Sequence, residues 1–269
     1  METEMTPVLI AGQTFAYVGG IAFLAFGVFL SIRRGRLHPL LLVSISAISF
    51  SWIEAPYDWA MYAQFPPALP RMPSWWPMNM TWGGGLPSAV PIGYIAYFVL
   101  PAVIGAALGR RLIARFGWRR PQTLLVVGFL VGFCWALFFN AFVGAQLGVF
   151  YYGYVIPGLA IFEGTKHQYP IYDSIAMGVQ MMVFTYLLGR TDEQGRNVIE
   201  MWADKRSSSR VGSAVLSIAA VVVVGHLTYG AVFAPHLATK LGGYVTEGPT
   251  EQLFPGIENQ PLHGTKPDR

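Results

Sequence analysis

The chain has 269 residues, of which 54% are hydrophobic and 12% charged, and its formal net charge is +4. That apolar content exceeds what the core of one soluble domain can bury, so lipid is expected to be the missing solvent. The basic residues form short clusters between apolar runs, a pattern that orients membrane proteins and argues against nucleic acid as a partner. The single cysteine, Cys134, excludes disulfides and cysteine-rich metal sites.

Apolar runs of about 20 residues recur along the chain, and each is long enough to cross roughly 30 Å of hydrocarbon. The first run follows the segment METEMTP, which lacks the basic residues of a cleavable signal peptide, so we expect a retained span. The predicted spans cover residues 8–32, 37–61, 87–108, 122–143, 171–188 and 211–234.

Residues 146–162 are the ambiguous segment, because they are apolar but short, rich in aromatic residues and interrupted by Pro157. If this segment does not cross, 13 of the 18 basic residues lie on one face, which the positive-inside rule makes cytoplasmic. This favours six spans, with both termini outside the cell and residues 146–162 as a re-entrant or tilted segment. Seven spans are the alternative.

The expected fold is therefore all-α, a polytopic transmembrane helical bundle in the plasma membrane. Residues 1–241 are predicted to form a single helical domain, and residues 242–269 a mostly irregular tail. Membrane lipid is an expected partner, and the sequence does not specify the oligomeric state.

Two acids near the outer end of the second predicted span form the first candidate site. An ionisable side chain inside a membrane costs about 2.5 to 3.5 kcal/mol on insertion scales, so each one needs a reason. Glu54 and Asp58 are four residues apart and share one face of a continuous helix. Pro56 cannot donate to the carbonyl of Trp52, so the helix should kink or end there. Solvated acids at a helix end are the alternative, but the aromatic loop that follows favours a site.

A second polar cluster, Glu163, Lys166, His167 and Asp173, lies at the predicted outer mouth of the fifth span. It could contribute to the same site. It could equally be an interfacial loop in which Asp173 begins a helix, where the positive end of the helix dipole favours an anion. The sequence leaves both interpretations open.

Aromatic side chains collect at the same end of the predicted bundle, beside a proline-rich outer loop (residues 64–91) that is expected to form a rigid lid. Among aromatic rings the neutral form of a carboxyl group is favoured, so it could protonate a substrate, and the ring faces could stabilise the resulting cation. The predicted substrate-binding residues are Trp52, Tyr57, Trp59, Tyr62, Trp75, Trp76, Glu163, His167, Tyr169 and Tyr172.

Motifs for other chemistries are absent from the sequence. There is no P-loop, dinucleotide-binding glycine motif, nucleophile elbow, HExxH motif or spaced histidine pair for haem. We therefore expect neither a metal nor another cofactor, and a lipophilic small molecule as the substrate.

Two motifs resemble those of a known family. EAPYDW at 54–59 with the residues to Pro73, and YPIYD at 169–173, resemble the avermectin-type spirocyclase (AveC-like) family of actinobacterial integral membrane proteins. The likeness extends over most of the chain. It implies a membrane cyclase, since the best-known member closes a spiroketal on a polyketide and can dehydrate the ring.

The resemblance supplies no catalytic residues. Glu54, Asp58 and Asp173 are predicted as catalytic from the cost of burying them and from their spacing. The favoured function is a cofactor-independent, spirocyclase-like cyclase or dehydratase acting on a polyketide or another lipophilic hydroxyketone. The alternatives are a membrane-bound terpene cyclase that uses a buried acid, and a non-enzymatic carrier of lipids or small molecules.

Overall fold

The computed structural model describes residues 4–81, 84–246 and 248, which form a bundle of long helices. The α-helices, in chain order, are α1 Pro7–Arg34, α2 Pro39–Phe50, α3 Glu54–Met61, α4 Val90–Phe116, α5 Arg120–Ala136, α6 Ile171–Gly189, α7 Val198–Asp204 and α8 Arg210–Leu241. A π-helical stretch, Leu137–Ala145, continues α5 and is called the π segment below.

Within these described residues, six helices are long and apolar enough to cross a membrane. They are α1, α2 with α3, α4, α5 with the π segment, α6 and α8, so the predicted all-α bundle with six long apolar helices is confirmed. Most of the predicted irregular tail, residues 247 and 249–269, lies outside the described part of the chain.

Residues 146–162 fold as turns and two short strands. Strand β2 (Tyr151–Tyr152) pairs antiparallel with β1 (Ala63–Gln64), and β3 (Ala160–Ile161) pairs antiparallel with β4 (Tyr169–Pro170). Glycines with left-handed backbone at positions 148 and 158 turn the chain back on itself. The segment therefore packs against the proline-rich loop and does not add a seventh helix to the six that are long and apolar enough to cross a membrane.

The second apolar span is interrupted just before the acid pair. Helix α2 ends at Phe50, a 3-10 turn follows at Ser51–Ile53, and α3 begins at Glu54. Pro56 sits in the first turn of α3, where its missing N–H is not needed. The break thus lies on the N-terminal side of the proline, and α3 continues through both Glu54 and Asp58.

Two long helices extend further than their apolar runs predict. Helix α4 begins at Val90 and ends at Phe116, against a predicted span of 87–108, and α8 ends at Leu241 rather than 234. Hydropathy locates the apolar part of a helix, whereas its end depends on capping. Gly117, in the left-handed conformation, caps α4 beyond its basic residues.

Helix α4 occupies the centre of the bundle and packs against α1, α2, α5 and α6, while α8 packs against α2. Aromatic rings fill the core where these helices meet, and Phe50 stacks on Tyr229 with ring centroids 4.7 Å apart. Gly128 of α5 lets α6 approach closely, because a Cβ there would lie 2.6 Å from the Thr185 side chain. This packing brings the beginnings of α1, α4 and α6 to the same end of the bundle as α3.

Candidate active site

A cavity of about 450 Å³ lies at this end of the bundle, between α1, α3, α4, the π segment and the proline-rich loop. Its volume is within the range of about 300 to 1,000 Å³ that is usual for sites binding small organic molecules. Glu54, Asp58 and Asp173 all line it, and most of the remaining wall is apolar. The structure therefore brings the three predicted catalytic acids, from α3 and α6, to one space.

Asp173 is held by four hydrogen bonds from side chains on four different parts of the fold. Its Oδ1 accepts from the Tyr57 hydroxyl at 2.8 Å. Its Oδ2 accepts from Asn140 Nδ2 at 2.8 Å, from the Tyr169 hydroxyl at 3.0 Å and from the Tyr152 hydroxyl at 3.2 Å. Because an ionised carboxylate is an acceptor only, with about four lone-pair positions, four donors match that form.

Two of these donors, Tyr152 and Tyr169, lie on the short strands outside the long helices. Burial raises the pKa of both hydroxyls well above the ordinary value for tyrosine, and the nearby Asp173 carboxylate raises it further. Both side chains therefore remain protonated and able to donate.

Glu54 is bound by tyrosines from two other helices. The hydroxyls of Tyr94 on α4 and Tyr229 on α8 both donate to Glu54 Oε2, the latter at 2.7 Å, and the two hydroxyl oxygens are 2.6 Å apart. Three oxygen atoms thus meet in one closed ring. Two hydroxyl protons can serve only two of its three contacts. If Glu54 carries a proton, all three are served when Glu54 donates to one tyrosine, that tyrosine donates to the second, and the second donates to Glu54.

Asp58 differs from the other two acids. Its side chain is 6% exposed, and within the described residues its buried Oδ2 has no hydrogen-bond partner. Arg71 in the proline-rich loop interacts electrostatically with Asp58: burial lowers the pKa of the Arg71 guanidinium to about 10, and the Asp58 carboxyl opposes that change. Asp58 therefore offers an atom at the cavity wall that no described residue hydrogen-bonds.

Arg71 also fastens the proline-rich loop over the cavity. Its guanidinium donates to the carbonyls of Gly85, Phe65 and Pro66 at 2.9 to 3.0 Å. Phe65, together with Leu69, lines the cavity from the loop side. The loop thus covers the site with aliphatic and phenyl side chains, and these residues lie close to the two ends of the loop.

Tyrosines from the predicted substrate-binding set lie nearest to the acids. Tyr57 lines the cavity, and Tyr169 contacts Asp173 from behind the wall. Tyr172 points away and packs against the His236 ring, with centroids 5.5 Å apart. Of these three side chains, Tyr57 can touch a ligand directly.

Three other predicted aromatic residues face neighbouring helices instead of the cavity. Trp52 donates to His226 Nε2 at 3.1 Å. Trp59 and Tyr62 pack around Lys240, whose Nζ lies 4.3 Å and 3.3 Å from their ring centroids. These residues tie α2 and α3 to α8.

The remaining predicted residues lie in loops away from the cavity wall. Trp75 is 75% exposed and Trp76 packs beside it. Glu163 accepts a hydrogen bond from a backbone N–H five residues earlier, and the His167 ring contacts the carbonyl of Ala145 at 2.8 Å. The second polar cluster is therefore split, since its Asp173 reaches the cavity and its Glu163 and His167 support the loop.

Sequence reasoning missed the partners of the acids, chiefly Tyr94, Tyr229 and Asn140. Each is a polar side chain within a long apolar helix or the π segment. A polar residue in such a run usually faces the bundle interior, and that signal could have identified them.

A larger groove of about 650 Å³ lies at the opposite end of the bundle, between α1, α7 and α8. Its acids are already paired, with Arg36 bound to Asp204 at 2.8 Å and Arg34 to Glu200 at 3.2 Å. We therefore place the candidate site in the smaller cavity, where the carboxyl groups face open space.

Fold and site together define the class of the protein, a bundle of long apolar helices that holds three carboxyl groups around one largely apolar cavity. The family model described as "Spirocyclase AveC-like" matches residues 32–260, and the chain belongs to this family. The resemblance seen in the sequence is thereby confirmed, and the family indicates a cyclase role. Comparison with curated proteins and with solved structures gives no match.

Proposed function

We propose that the protein is a membrane-embedded, cofactor-independent cyclase that closes spiroketals on a polyketide or another lipophilic hydroxyketone and can dehydrate the product. The observation that carries the proposal is that Glu54, Asp58 and Asp173 line one cavity in a chain of the spirocyclase family. Acid catalysis and electrostatic stabilisation are what ketal closure requires.

The surface of the bundle supports embedding in a membrane. In the most apolar stretches of α1 and α8, 17% and 22% of the residues are buried inside the protein. Val18, Ile21 and Leu227 are each more than half exposed. A contiguous apolar surface of this kind needs lipid to cover it. We place the bundle in the plasma membrane. The distribution of charge then favours both termini outside the cell, because 13 of the 18 basic residues lie on the face opposite to the termini, which would be cytoplasmic.

Cysteine labelling tests this orientation. In a Cys134→Ser background, cysteines introduced at Ser74 and at Thr250 should react with a membrane-impermeant reagent in intact cells. A cysteine at Ser208, which is exposed at the opposite end, should not react. Reaction at Ser208 but not at Ser74 would reverse the orientation, and reaction at both would contradict six spans.

Spiroketal closure by this site is balanced by the loss of one water. One hydroxyl of a dihydroxyketone adds to the carbonyl to give a hemiketal. A carboxylic acid protonates the hemiketal hydroxyl. The C–O bond then breaks, water departs, and an oxocarbenium ion is formed. The second hydroxyl then attacks the cationic carbon and returns its proton to the carboxylate, so the acid is regenerated.

The hydrogen bonds divide the roles among the acids. Glu54 is the proposed proton donor, because a proton on it completes the ring of three hydrogen bonds with Tyr94 and Tyr229. Asp173, which accepts from four donors, is the proposed carboxylate that stabilises the cation. Asp58 has an oxygen that no described residue hydrogen-bonds, which suits it to accept a hydrogen bond from a substrate hydroxyl.

The first test is Glu54→Gln, assayed with dihydroxynonanone, a short symmetric dihydroxyketone that closes to two six-membered rings sharing the ketal carbon. Glutamine keeps the size and the acceptor oxygen but cannot deliver a proton. The rate above the buffer background should fall about 100-fold or more, the scale of general acid catalysis, while binding persists. Glu193→Gln, an exposed acid at the other end of the bundle, is the matched control.

The same experiment separates the alternatives. Purified protein in detergent has no proton gradient, so product formation there excludes a carrier. A folded Glu54→Gln variant that retains the parent rate would refute the donor assignment. Conversion of a polyprenyl epoxide or alkene but of no hydroxyketone would instead identify a terpene cyclase.

A further inference from the structure

The cavity is open on one side, between the first half of α1 and the π segment. Most of its lining residues are buried, including Asp58 and Asp173. The exposed ones are Ala11 and Phe15 on α1 and Leu147 just after the π segment. The opening therefore lies on the side of the bundle, away from the proline-rich loop that Arg71 holds in place.

The rim of this opening is uncharged, and Gln13 is the polar side chain that α1 contributes to the cavity lining. Helix α1 carries no charged residue before Arg33, and the π segment carries none at all. Exposed side chains beside the opening include Ile10 and Phe142. An aqueous entrance would expose these groups to water, whereas an entrance from the hydrocarbon of a bilayer would cover them.

Space for an alkyl chain runs along α1 from this opening towards the acids. Gly12 lines the cavity, and a Cβ built there would meet nothing within 4 Å. The rings of Phe15 on α1 and Phe139 in the π segment contact each other across this opening, with centroids 6.0 Å apart. Residues 8–16 of α1 rise by roughly 12 Å, so this wall is long enough to contact an extended chain.

We propose that the substrate enters sideways from the lipid between α1 and the π segment, and that its alkyl chain lies against Gly12 while the reacting carbonyl reaches the acids. This inference rests on the proposed function for the identity of the reacting group. It adds the entry route of the substrate and its chemical class, an alkyl-substituted hydroxyketone dissolved in the bilayer. It also makes Gly12 a residue that determines selectivity for substrates with an alkyl chain.

The test compares two probes in protein reconstituted into lipid nanodiscs. One is dihydroxynonanone, and the other is the same ketone bearing a dodecyl chain. Gly12→Trp should fill the space beside α1 and lower kcat/KM for the dodecyl probe roughly tenfold or more, while the short probe changes less than about twofold. Gly230→Trp is the matched control, because Gly230 of α8 is also a helical glycine with nothing within 4 Å of an added Cβ and it does not line the cavity.

A binding measurement separates failure of this inference from failure of the proposed function. A dodecyl probe with a terminal diazirine, activated by light, should form adducts within residues 8–16 and 139–147 of the parent protein. Gly12→Trp should lose these adducts and Gly230→Trp should keep them. If the parent labels in this way but converts neither ketone, the proposed function falls and the lateral route stands.

Two results would overturn the lateral route. One is labelling confined to other segments. The other is unchanged turnover of the dodecyl probe by folded Gly12→Trp. If Gly12→Trp does not fold, Gly12→Leu takes its place, because leucine has a higher helix propensity than glycine and also fills part of the space. It should weaken labelling by the dodecyl probe by several-fold, and undiminished labelling would refute the proposal.

Discussion

Replacing Asp173 with leucine should destabilise the protein far more than replacing Asp58 with leucine, although both acids line the same cavity. Leucine has no acceptor, so Asp173→Leu deprives four donors of their partner, three tyrosine hydroxyls and the Asn140 amide. Asp58→Leu removes a carboxyl oxygen that has no partner among the described residues. The contrast depends on the hydrogen bonds and not on any assumption about catalysis.

The expected magnitude follows from the number of donors left unpaired. Each buried donor without a partner costs about 1 kcal/mol or more in soluble proteins. Hydrogen bonds between membrane helices average nearer 0.6 kcal/mol. Four donors therefore give a loss of about 2 to 4 kcal/mol for Asp173→Leu. Asp58→Leu should stay within about 1 kcal/mol of the parent, because replacing an unpaired buried acid by an apolar group is often neutral or stabilising.

Unfolding by SDS in mixed micelles, followed by tryptophan fluorescence, measures the free energy of unfolding of both variants and the parent. A third variant, Asn140→Leu, removes one of the four donors and should cost less than Asp173→Leu. Equal stabilities for Asp173→Leu and Asp58→Leu would refute the four-donor arrangement, and a larger loss for Asp58→Leu would reverse it.

Two further predictions concern opposite ends of the bundle. Tyr229→Phe removes one hydroxyl from the ring of hydrogen bonds at Glu54, so kcat and its pH profile should change while KM does not. Tyr186→Phe, which lies outside the cavity, is the control. An unaltered pH profile for Tyr229→Phe would refute the role of this hydrogen-bonded ring. At the other end, the Ser213 hydroxyl, followed by Arg36 and Arg196, lowers the pKa of Asp204 to about 2. Its contribution to stability should be complete above the ordinary carboxyl pKa of about 4 and be lost as the pH falls from there towards 2. Asp204→Asn should therefore lower the stability of the protein above about pH 4 but not near pH 2, and circular dichroism during acid titration would detect the difference. A loss of stability at pH 2 equal to that at neutral pH would contradict this prediction.

The sequence predicts the helices well because hydropathy and charge determine them. Apolar runs located six long helices, and counting basic residues left 146–162 out of the predicted spans, where the structure has turns and short strands. The four-residue spacing of Glu54 and Asp58 also predicts a shared face, because α3 continues through both. These are local properties, and local periodicity is enough to infer them.

The surroundings of the acids could not be inferred in the same way. In a soluble protein the apolar face of a helix identifies the core, but in a bundle surrounded by lipid both the core and the outer surface are apolar. Tyr94 and Tyr229 come from helices far apart in the chain, and hydropathy does not reveal which faces meet. Aromatic residues near the ends of the helices were a weaker guide to the lining of the site, because some of them, such as Trp75, are largely exposed.

Tyrosine is well suited to hold acids within such a bundle. Its ring packs like any apolar side chain, and its hydroxyl supplies one hydrogen bond without introducing a charge. Glu54 and Asp173 are both held mainly by tyrosine hydroxyls, which bond one oxygen of Glu54 and both oxygens of Asp173. A polar atom left unpaired in the same place is costly and needs another reason to be there. Among the described residues Asp58 Oδ2 is such an atom at the cavity wall, and in the proposed function a hydroxyl group of the substrate is its partner.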